Sequence, residues 1–353
     1  MDKITKRQLD ILDFIREKGK AGNDEIKDFI SRKYGVISRV TIVRELDALL
    51  KDDLVDKSGR GRSVVYAEKL ATPLLRYFDA EKYFQKGPDE RLVAFARFNF
   101  GIFKNFHSLF SPPELEMLKK LNAGYQKRIK KLPPAIIKRE IERLTIELSW
   151  KSSRIEGNTY SLIDTEILIK ERKEAKGHKK EEAIMILNHK TALDYIFQNK
   201  KEFKKINLRK IENIHSLLIR DMNVSRGLRQ KVVGIIGTKY RPLDNQYQIK
   251  EALEDMARAI NKFKDPFSKS LAAMLLIAYI QPFEDGNKRT SRLLGNAILA
   301  AHNICPLSFR SINEADYKKA VLLFYEQNSA RIFKELFIKQ FKFAVENYFL
   351  DKI

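Results

Sequence analysis

Cysteine is nearly absent from this sequence, which has only Cys305 among its 353 residues. A single cysteine excludes an intrachain disulfide and favours a reducing, cytoplasmic location. Long apolar segments are missing too, because the longest, residues 271–280, is too short to cross a bilayer. The first residues lack the apolar stretch of a signal peptide, and no histidines and cysteines lie at zinc-ligand spacing. We therefore expect a cytoplasmic protein that does not enter a membrane.

Acidic residues are outnumbered, with 46 Asp and Glu against 68 Lys and Arg and a net charge of +22. An excess of this size suits a polyanionic partner such as nucleic acid. The first 70 residues carry little of it, since they hold 16 basic and 13 acidic side chains. A nucleic-acid site and a solvated, lysine-rich surface therefore both remain open.

The first 68 residues read as a small α+β domain. Apolar spacing predicts three helices. The first spans residues 5–18, the second begins after Asn23 as its N-cap, and the third spans residues 39–51 after Ser38 as its N-cap. In the third helix we expect an apolar face formed by Val40, Val43, Leu46, Leu49 and Leu50. Two short β-rich runs then flank a basic glycine turn. This order resembles the winged helix-turn-helix domains of bacterial and archaeal regulators.

The winged-helix resemblance implies candidate DNA contacts. Arg39, Thr41 and Arg44 would lie on the outer face of a recognition helix, and Arg60 and Arg62 on the wing. A winged helix used for protein contacts is the alternative.

Residues 69–134 are expected to form a helical connector to the rest of the chain. Phenylalanines recur there mostly at spacings of three or four, which predicts a packed helix face rather than base stacking. They are Phe95, Phe98, Phe100, Phe103, Phe106 and Phe110.

A polar loop with the sequence QPFEDGNKRTSR interrupts two apolar helical segments at residues 281–292. A helix that begins at Gly286 and Asn287 would direct free N–H groups and the positive end of its dipole at the loop, which suits phosphate. Lys288, Arg289 and Arg292 follow at once. We expect the two arginines to lean over one helix face toward a polyphosphate. These residues predict a phosphate-binding loop.

The order of residues in this loop resembles the signature of the Fic family of nucleotidyltransferases, His-Pro-Phe-x-(Asp/Glu)-Gly-Asn-Gly-Arg-x-x-Arg. The residues that match are Pro282, Phe283, Asp285, Gly286, Asn287, Arg289 and Arg292. Asp285 is expected to hold Mg²⁺ that bridges phosphate oxygens. Phe283 is expected to point into the core and fix the loop.

A second motif ends a long helix predicted to start near residue 135. Ser152, Glu156 and Gly157 resemble the inhibitory motif (Ser/Thr)-x-x-x-Glu-(Gly/Asn) of Fic proteins. Its position before the loop corresponds to the second class of the family. The resemblance implies that Glu156 pairs with Arg292 and removes the cation that would orient the γ-phosphate. A plain helix C-cap would also explain the glycine.

Residues 227–242 shift to glycines and β-branched side chains, which predicts a β-hairpin. The hairpin resembles the Fic flap, an edge that lays a target peptide across the site by β-addition. Gly237, Thr238, Lys239 and Tyr240 are the candidate target-binding residues. A purely structural hairpin is the alternative.

These resemblances imply a mainly α chain, with a helical Fic domain and β-hairpin flap at 135–353 behind the small α+β domain. Such a domain would transfer AMP from ATP, with Mg²⁺, to a Ser, Thr or Tyr hydroxyl of a target protein. Gln281, however, stands where the family has its catalytic histidine. Glutamine cannot accept a proton, so we expect this chain to be inactive as it stands. Natural loss of catalysis and an engineered change both fit.

Lys288 replaces a glycine of the signature, and the order Asn-Lys-Arg resembles the Doc branch, which transfers phosphate. Phosphate transfer is therefore a minor alternative. An ATP-sensing, DNA-binding transcriptional regulator with a catalytically inactive Fic domain is the main one. The target protein and the oligomeric state, a homodimer included, stay open.

Overall fold

A computed structural model describes residues 4–350, apart from the side chain of Arg62, as two compact units. The first unit ends at Gln85 and the second begins at Lys86. Helices dominate the described residues, and the sheet belongs to the first unit. The predicted mainly α fold with a small α+β part is confirmed.

The first unit packs three helices against a three-stranded antiparallel sheet in the order β1-β3-β2. Its core includes Ile15, Ile30, Leu46 and Tyr66, all almost fully buried. The elements are α1 Lys6–Lys18, β1 Ala21–Gly22, α2 Asn23–Tyr34, α3 Arg39–Lys51, β2 Val55–Ser58, β3 Val65–Glu68 and the short α4 Ala80–Phe84.

Local sequence sets the helix starts of this unit closely. The hydroxyl of Ser38 accepts a hydrogen bond from the N–H of Thr41 and begins α3. Asn23 is the first helical residue of α2 rather than its N-cap, which is Gly22. The predicted inward face of α3 is wrong at Val40, which is 61% exposed, because Ile42 occupies the core instead. The winged-helix assignment itself stays a prediction.

The predicted DNA contacts can be located only in part. Arg39, Arg44 and Arg60 are exposed, whereas Thr41 is half-buried and its hydroxyl bonds to that of Ser38. The side chain of Arg62 lies outside the described residues.

The second unit is built from ten α-helices that we describe between residues 112 and 347. They are α5 Pro112–Ile129, α6 Pro134–Ile155, α7 Leu162–Glu171, α8 Lys180–Gln198, α9 Leu208–Leu218, α10 Gln246–Lys262, α11 Pro266–Ile280, α12 Asn287–Ala301, α13 Glu314–Gln327 and α14 Arg331–Asn347.

Helices α11 and α12 form the centre of this unit, and nearly all their side chains are buried. Gly295 of α12 allows their close approach, because a Cβ there would overlap the side chain of Met274. The hydroxyl of Ser270 also donates to the carbonyl of Gly295, at 2.9 Å. This tight pairing fixes the short connection between the two helices, residues 281–286.

The predicted helical connector is helical only in part. Between α4 and α5 the regular structure of the described chain is one 3₁₀-helix, Phe100–Asn105. The main-chain N–H groups of Ala94 and Phe95 donate to the carbonyl of Glu326 instead of to their own segment. Most of the phenylalanines still pack, for example Phe98 stacked on Tyr279 at 4.8 Å, whereas Phe100 is 37% exposed. Aromatic burial therefore did not require helical spacing.

None of the helices within residues 4–350 combines the length and the apolar character that a bilayer crossing requires.

Candidate functional site

The loop between α11 and α12 is held in shape by its own side chains. Gln281 ends α11 in the left-handed region, with φ of 51°, and Gly286 precedes α12 with φ of 79°. The amide of Asn287 accepts from the N–H of Phe283 at 2.9 Å and donates to its carbonyl at 2.8 Å. No side chain caps Gly286. The amino end of α12 therefore keeps N–H groups for an anion.

Phe283 is fully buried, as expected, and it stacks on His215 of α9 with ring centres 3.6 Å apart. The Nε2 of His215 lies 3.0 Å from the carbonyl of Asp285 and can donate to it. Burial, with the nearby charge of Arg289, lowers the pKa of His215 to about 4, although its bond to Asp285 opposes that shift. Neutral His215 therefore packs against Phe283 and holds the loop through the carbonyl of Asp285.

Gln281 is buried, and its side-chain amide is engaged by protein groups. Its Nε2 donates to the carbonyl of Ala278 at 2.6 Å and to the hydroxyl of Tyr325 at 3.2 Å. Its Oε1 accepts from the amide of Asn287 at 3.0 Å. Gln281 therefore stabilises the loop but offers no titratable nitrogen to a substrate.

Glu156 follows the last residue of α6 and reaches the first turns of α12. Its Oε1 lies 2.9 Å from the guanidinium of Arg292, and its Oε2 lies 3.1 Å from Nζ of Lys288. Arg292 is fully buried, and it also donates to the hydroxyl and the carbonyl of Ser152, each at 2.9 Å. Gly157 turns the chain away with φ of 99°, a conformation that favours glycine.

Electrostatics favour the charged form of this carboxylate. Burial opposes ionisation of Glu156, yet the charges and hydrogen bonds of Arg292 and Lys288 hold its pKa below the ordinary value. At neutral pH Glu156 is therefore an anion beside the first turns of α12.

Arg289 and Arg292, three residues apart on α12, have different partners. Their joint approach to a polyphosphate stays a prediction. Arg289 bonds to the carboxylate of Asp285 at 2.6 Å and to the sulfur of Met222. Lys288 and Arg292 are the cations that converge, because side chains four residues apart lie on one face of a helix. The Asp285 side chain is 56% exposed, which leaves carboxylate surface for a metal ion.

A cavity of about 430 Å³ opens beside this cluster. Its lining includes the polar side chains of Glu156, Gln281 and Lys288. It also includes Ile235 and Ile236, and Tyr317, Val321, Leu322 and Tyr325 of α13. The cavity therefore has both charged and apolar lining.

The predicted β-hairpin at 227–242 is not formed. Within the described chain this segment pairs only as a single bridge between Arg241 and Arg97. Tyr240 is wrongly predicted as target-binding, because it is 2% exposed and its hydroxyl donates to the carbonyl of Tyr279. Lys239 donates to the carbonyl of Asp89. The exposed part lies earlier, at Val232 and Ile236, which are 75% and 97% exposed.

Sequence reasoning missed two residues that touch the loop helix or its base. Tyr317 accepts a hydrogen bond from Arg292 at 3.2 Å, and the guanidinium lies over its ring. Arg229 is buried and donates to the carbonyl of Gln281 at 2.7 Å. Neither residue lies in a short motif. The one signal in the sequence is that Arg229 is an arginine within an apolar, glycine-rich segment.

Comparison with known proteins connects the residues of this site with a protein family. Residues 205–299 match the Fic/DOC family and form a Fic domain. The chain is 27% identical over 193 residues to "Protein adenylyltransferase Fic" of Nematostella vectensis, which covers 51% of this chain and 43% of the relative. It is 31% identical over 100 residues to a "Probable protein adenylyltransferase" of Aquifex aeolicus, covering 28% and 31%. The matches thus span less than half the length of these relatives.

Solved structures support the fold. Fic-1 of C. elegans, residues 134–508, superposes with a TM-score of 0.58 at 21% identity, over 66% of this chain and 71% of that one. A Fic domain containing signaling protein from Bacteroides thetaiotaomicron superposes with a TM-score of 0.54 at 18% identity, over 65% and 92%. The arrangement of helices around the loop is therefore that of a Fic fold.

Proposed function

We propose that this chain, which carries a Fic domain, binds ATP at the amino end of α12 and is built to transfer AMP to a protein hydroxyl. Glu156 holds it in an inhibited state, and Gln281 leaves it without a general base. The bridge from the Glu156 carboxylate to Arg292 and Lys288 is the observation that carries this proposal. A carboxylate in this position mimics a phosphate group and occupies the cations that would bind one.

The shape and charge of the site suit ATP. The uncapped helix end and Lys288 would bind phosphates, and apolar lining residues such as Val321 and Ile235 would accept the adenine ring. Arg292 would bind the γ-phosphate once Glu156 moves away. Asp285, as a single half-exposed carboxylate, fits Mg²⁺, which commonly takes one or two protein carboxylates together with substrate phosphates. The bound ion would neutralise charge on the phosphate oxygens.

The transfer itself needs a base. The target oxygen would attack the α-phosphorus, the bond to the β-phosphate oxygen would break, and pyrophosphate would leave. The hydroxyl proton must pass to a base at position 281, and glutamine cannot take it. General-base catalysis typically contributes about 10²–10⁴-fold, so activity of this chain should be low by a factor of that order.

Residues 232–236 would receive the target peptide. Within residues 4–350, their main-chain groups make no hydrogen bond that ties them to the fold. An extended peptide could therefore pair with them by β-addition. The candidate target-binding segment accordingly moves from residues 237–240 to residues 232–236.

The proposal is tested with the variant Gln281→His combined with Glu156→Gly. We expect it to label itself or lysate proteins from α-³²P-ATP but not from γ-³²P-ATP. The single variant Glu156→Gly, which keeps Gln281, should bind ATP and label weakly. Transfer of the γ-label would favour the phosphotransferase alternative suggested by Lys288. Failure to bind ATP would refute the proposal.

A second candidate is an ATP-sensing, DNA-binding regulator whose Fic domain does not catalyse. It is favoured by the amide of Gln281, whose bonds go to Ala278 of α11, Asn287 and Tyr325 of α13. The exposed Arg39, Arg44 and Arg60 of the first unit favour it as well. It predicts sequence-selective DNA binding with a steep salt dependence that ATP changes. DNA affinity that is equal for all sequences and indifferent to ATP would exclude it. A cytoplasmic location and a homodimer stay predictions.

A further inference from the structure

Arg229 is a buried arginine without a carboxylate partner. It is 2% exposed, and none of the ion pairs found in the described part of the chain includes it. Its three guanidinium nitrogens donate instead to the carbonyls of Gln281, Lys231 and Leu243. Its own main-chain N–H donates to the carbonyl of Pro282 at 3.0 Å. A buried charge that binds only carbonyls costs free energy of desolvation, so its value must lie in the geometry that it fixes.

The carbonyls that Arg229 binds belong to separate parts of the site. Gln281 stands at the position of the catalytic base, and its left-handed backbone is held by the 2.7 Å bond from Nε. Lys231 immediately precedes the exposed segment 232–236, and Leu243 lies three residues after the buried Tyr240. One planar guanidinium, with its fixed donor directions, therefore sets these backbone positions relative to one another.

The far end of the exposed segment is anchored independently. The guanidinium of Arg91 donates to the carbonyl of Gly237 and forms a buried ion pair with Glu326 at 2.7 Å. The segment is thus fixed at 231 and 237, while Val232 and Ile236 between these anchors are exposed. A segment that is anchored at both ends and exposed between them can bind a peptide at a fixed distance from the site.

We propose that Arg229 is a positioning residue that sets the distance between residue 281 and the docking segment 232–236. It does so by holding the carbonyls of residues 231 and 281 on one side chain. A target hydroxyl presented by a peptide on this segment then arrives at the α-phosphorus beside residue 281. This inference rests on the proposed AMP transfer and goes beyond it, because it concerns the choice between protein and water as acceptor.

The test uses the full chain with Gln281→His and Glu156→Gly as background. Arg229→Lys keeps the charge but loses the fork of donors, and the exposed Arg226→Lys is the matched control. With α-³²P-ATP and a cell lysate as acceptor, both labelled protein and free AMP are measured. We expect Arg229→Lys to lower protein labelling by about 10²-fold, the effect of a misplacement of about 1 Å. Release of AMP to water should fall much less than protein labelling, because water needs no docking segment. The dissociation constant for ATP should stay close to that of the background.

A measurement that does not depend on catalysis accompanies this one. The main-chain N–H groups of residues 229 and 281 bond to the carbonyls of Pro282 and Ile277. Their hydrogen exchange should become faster in Arg229→Lys, while the amides of α11 and α12 stay protected. Guanidinium ion added to Arg229→Ala should restore part of the labelling.

Two results would overturn the inference. One is Arg229→Lys labelling protein as fast as the background. The other is an equal loss of ATP binding, AMP release and labelling with a lower melting temperature, which would show a structural role only. If the background binds ATP but transfers nothing, AMP transfer fails as a function. Unchanged exchange of the amides of residues 229 and 281 in Arg229→Lys would still refute the role of Arg229.

Discussion

Glu156 and Lys288 form an ion pair of 3.1 Å between the residue that follows α6 and the first turn of α12. The other oxygen of the same carboxylate binds Arg292 at 2.9 Å. A glycine at position 288, as in the Fic signature, could not make the first of these bonds. Both oxygens of Glu156 are therefore held by cations, which in the proposed function an incoming nucleotide would take over.

Removing the carboxylate should increase the affinity for ATP. In Glu156→Gly, Arg292 and Lys288 become available to phosphate, and we expect the dissociation constant to fall by about 10-fold or more, within the usual range of coupling between two ligands of one site. Isothermal titration calorimetry measures the change. The exposed Glu174→Gly is the control for loss of one negative charge. Equal affinities in Glu156→Gly and the parent would show that Glu156 does not compete with nucleotide.

Replacing Lys288 by glycine should have opposite consequences in two backgrounds. With Glu156 present, the change weakens the hold on the inhibitory carboxylate and should cost little ATP affinity or improve it. With Glu156→Gly, the same change removes a phosphate ligand and should weaken binding. A double-mutant cycle on the dissociation constants should give a coupling energy of about 0.5–3 kcal/mol. Additive effects would mean that the two side chains act independently.

His215 should make the stability of the chain depend on pH. Its pKa is about 4 in the folded protein and near 6.5 when unfolded, so the unfolded state binds more protons between these values. The free energy of unfolding should therefore fall as the pH decreases from 6.5 to 4, by about 3 kcal/mol from this residue. His215→Gln keeps a donor for the carbonyl of Asp285 but does not titrate, and should reduce the slope. Urea denaturation across this pH range, with the exposed His107→Gln as control, decides the point.

The buried pair of Arg91 and Glu326 should be costly to break on one side. Their side chains are 4% and 0% exposed, with 2.7 Å between them. Glu326→Gln removes the negative charge from this buried pair and should lower the free energy of unfolding by about 3–5 kcal/mol. The exposed pair of Lys170 and Glu166 offers the matched control, since Glu166→Gln should cost less than about 1 kcal/mol. Equal losses in urea denaturation would contradict this assignment of burial.

Much of the architecture follows from local sequence. Helix starts such as Thr5 and Ser38 are set by a side chain and an N–H three residues away, and an apolar period reports which face is buried. The turn at Gly286 and Asn287 is also local in origin, because a left-handed glycine precedes the helix and the amide of Asn287 bonds to Phe283 four residues away. These features could therefore be predicted, together with the resemblance that the loop carries.

Contacts between distant segments could be decided only by the tertiary structure. Glu156 meets Lys288 across more than a hundred residues, and no rule of spacing connects the two. Residues 227–242 have the composition of a hairpin, but Arg229, Arg91 and the buried Tyr240 bind this backbone to the core and leave it without a partner strand. The free energy of strand propensity is small compared with that of such buried polar contacts, because a buried group without its hydrogen bond costs more than propensity contributes. The sequence thus determined which residues form the loop, and the fold determined which cations face Glu156 and which carbonyls Arg229 binds.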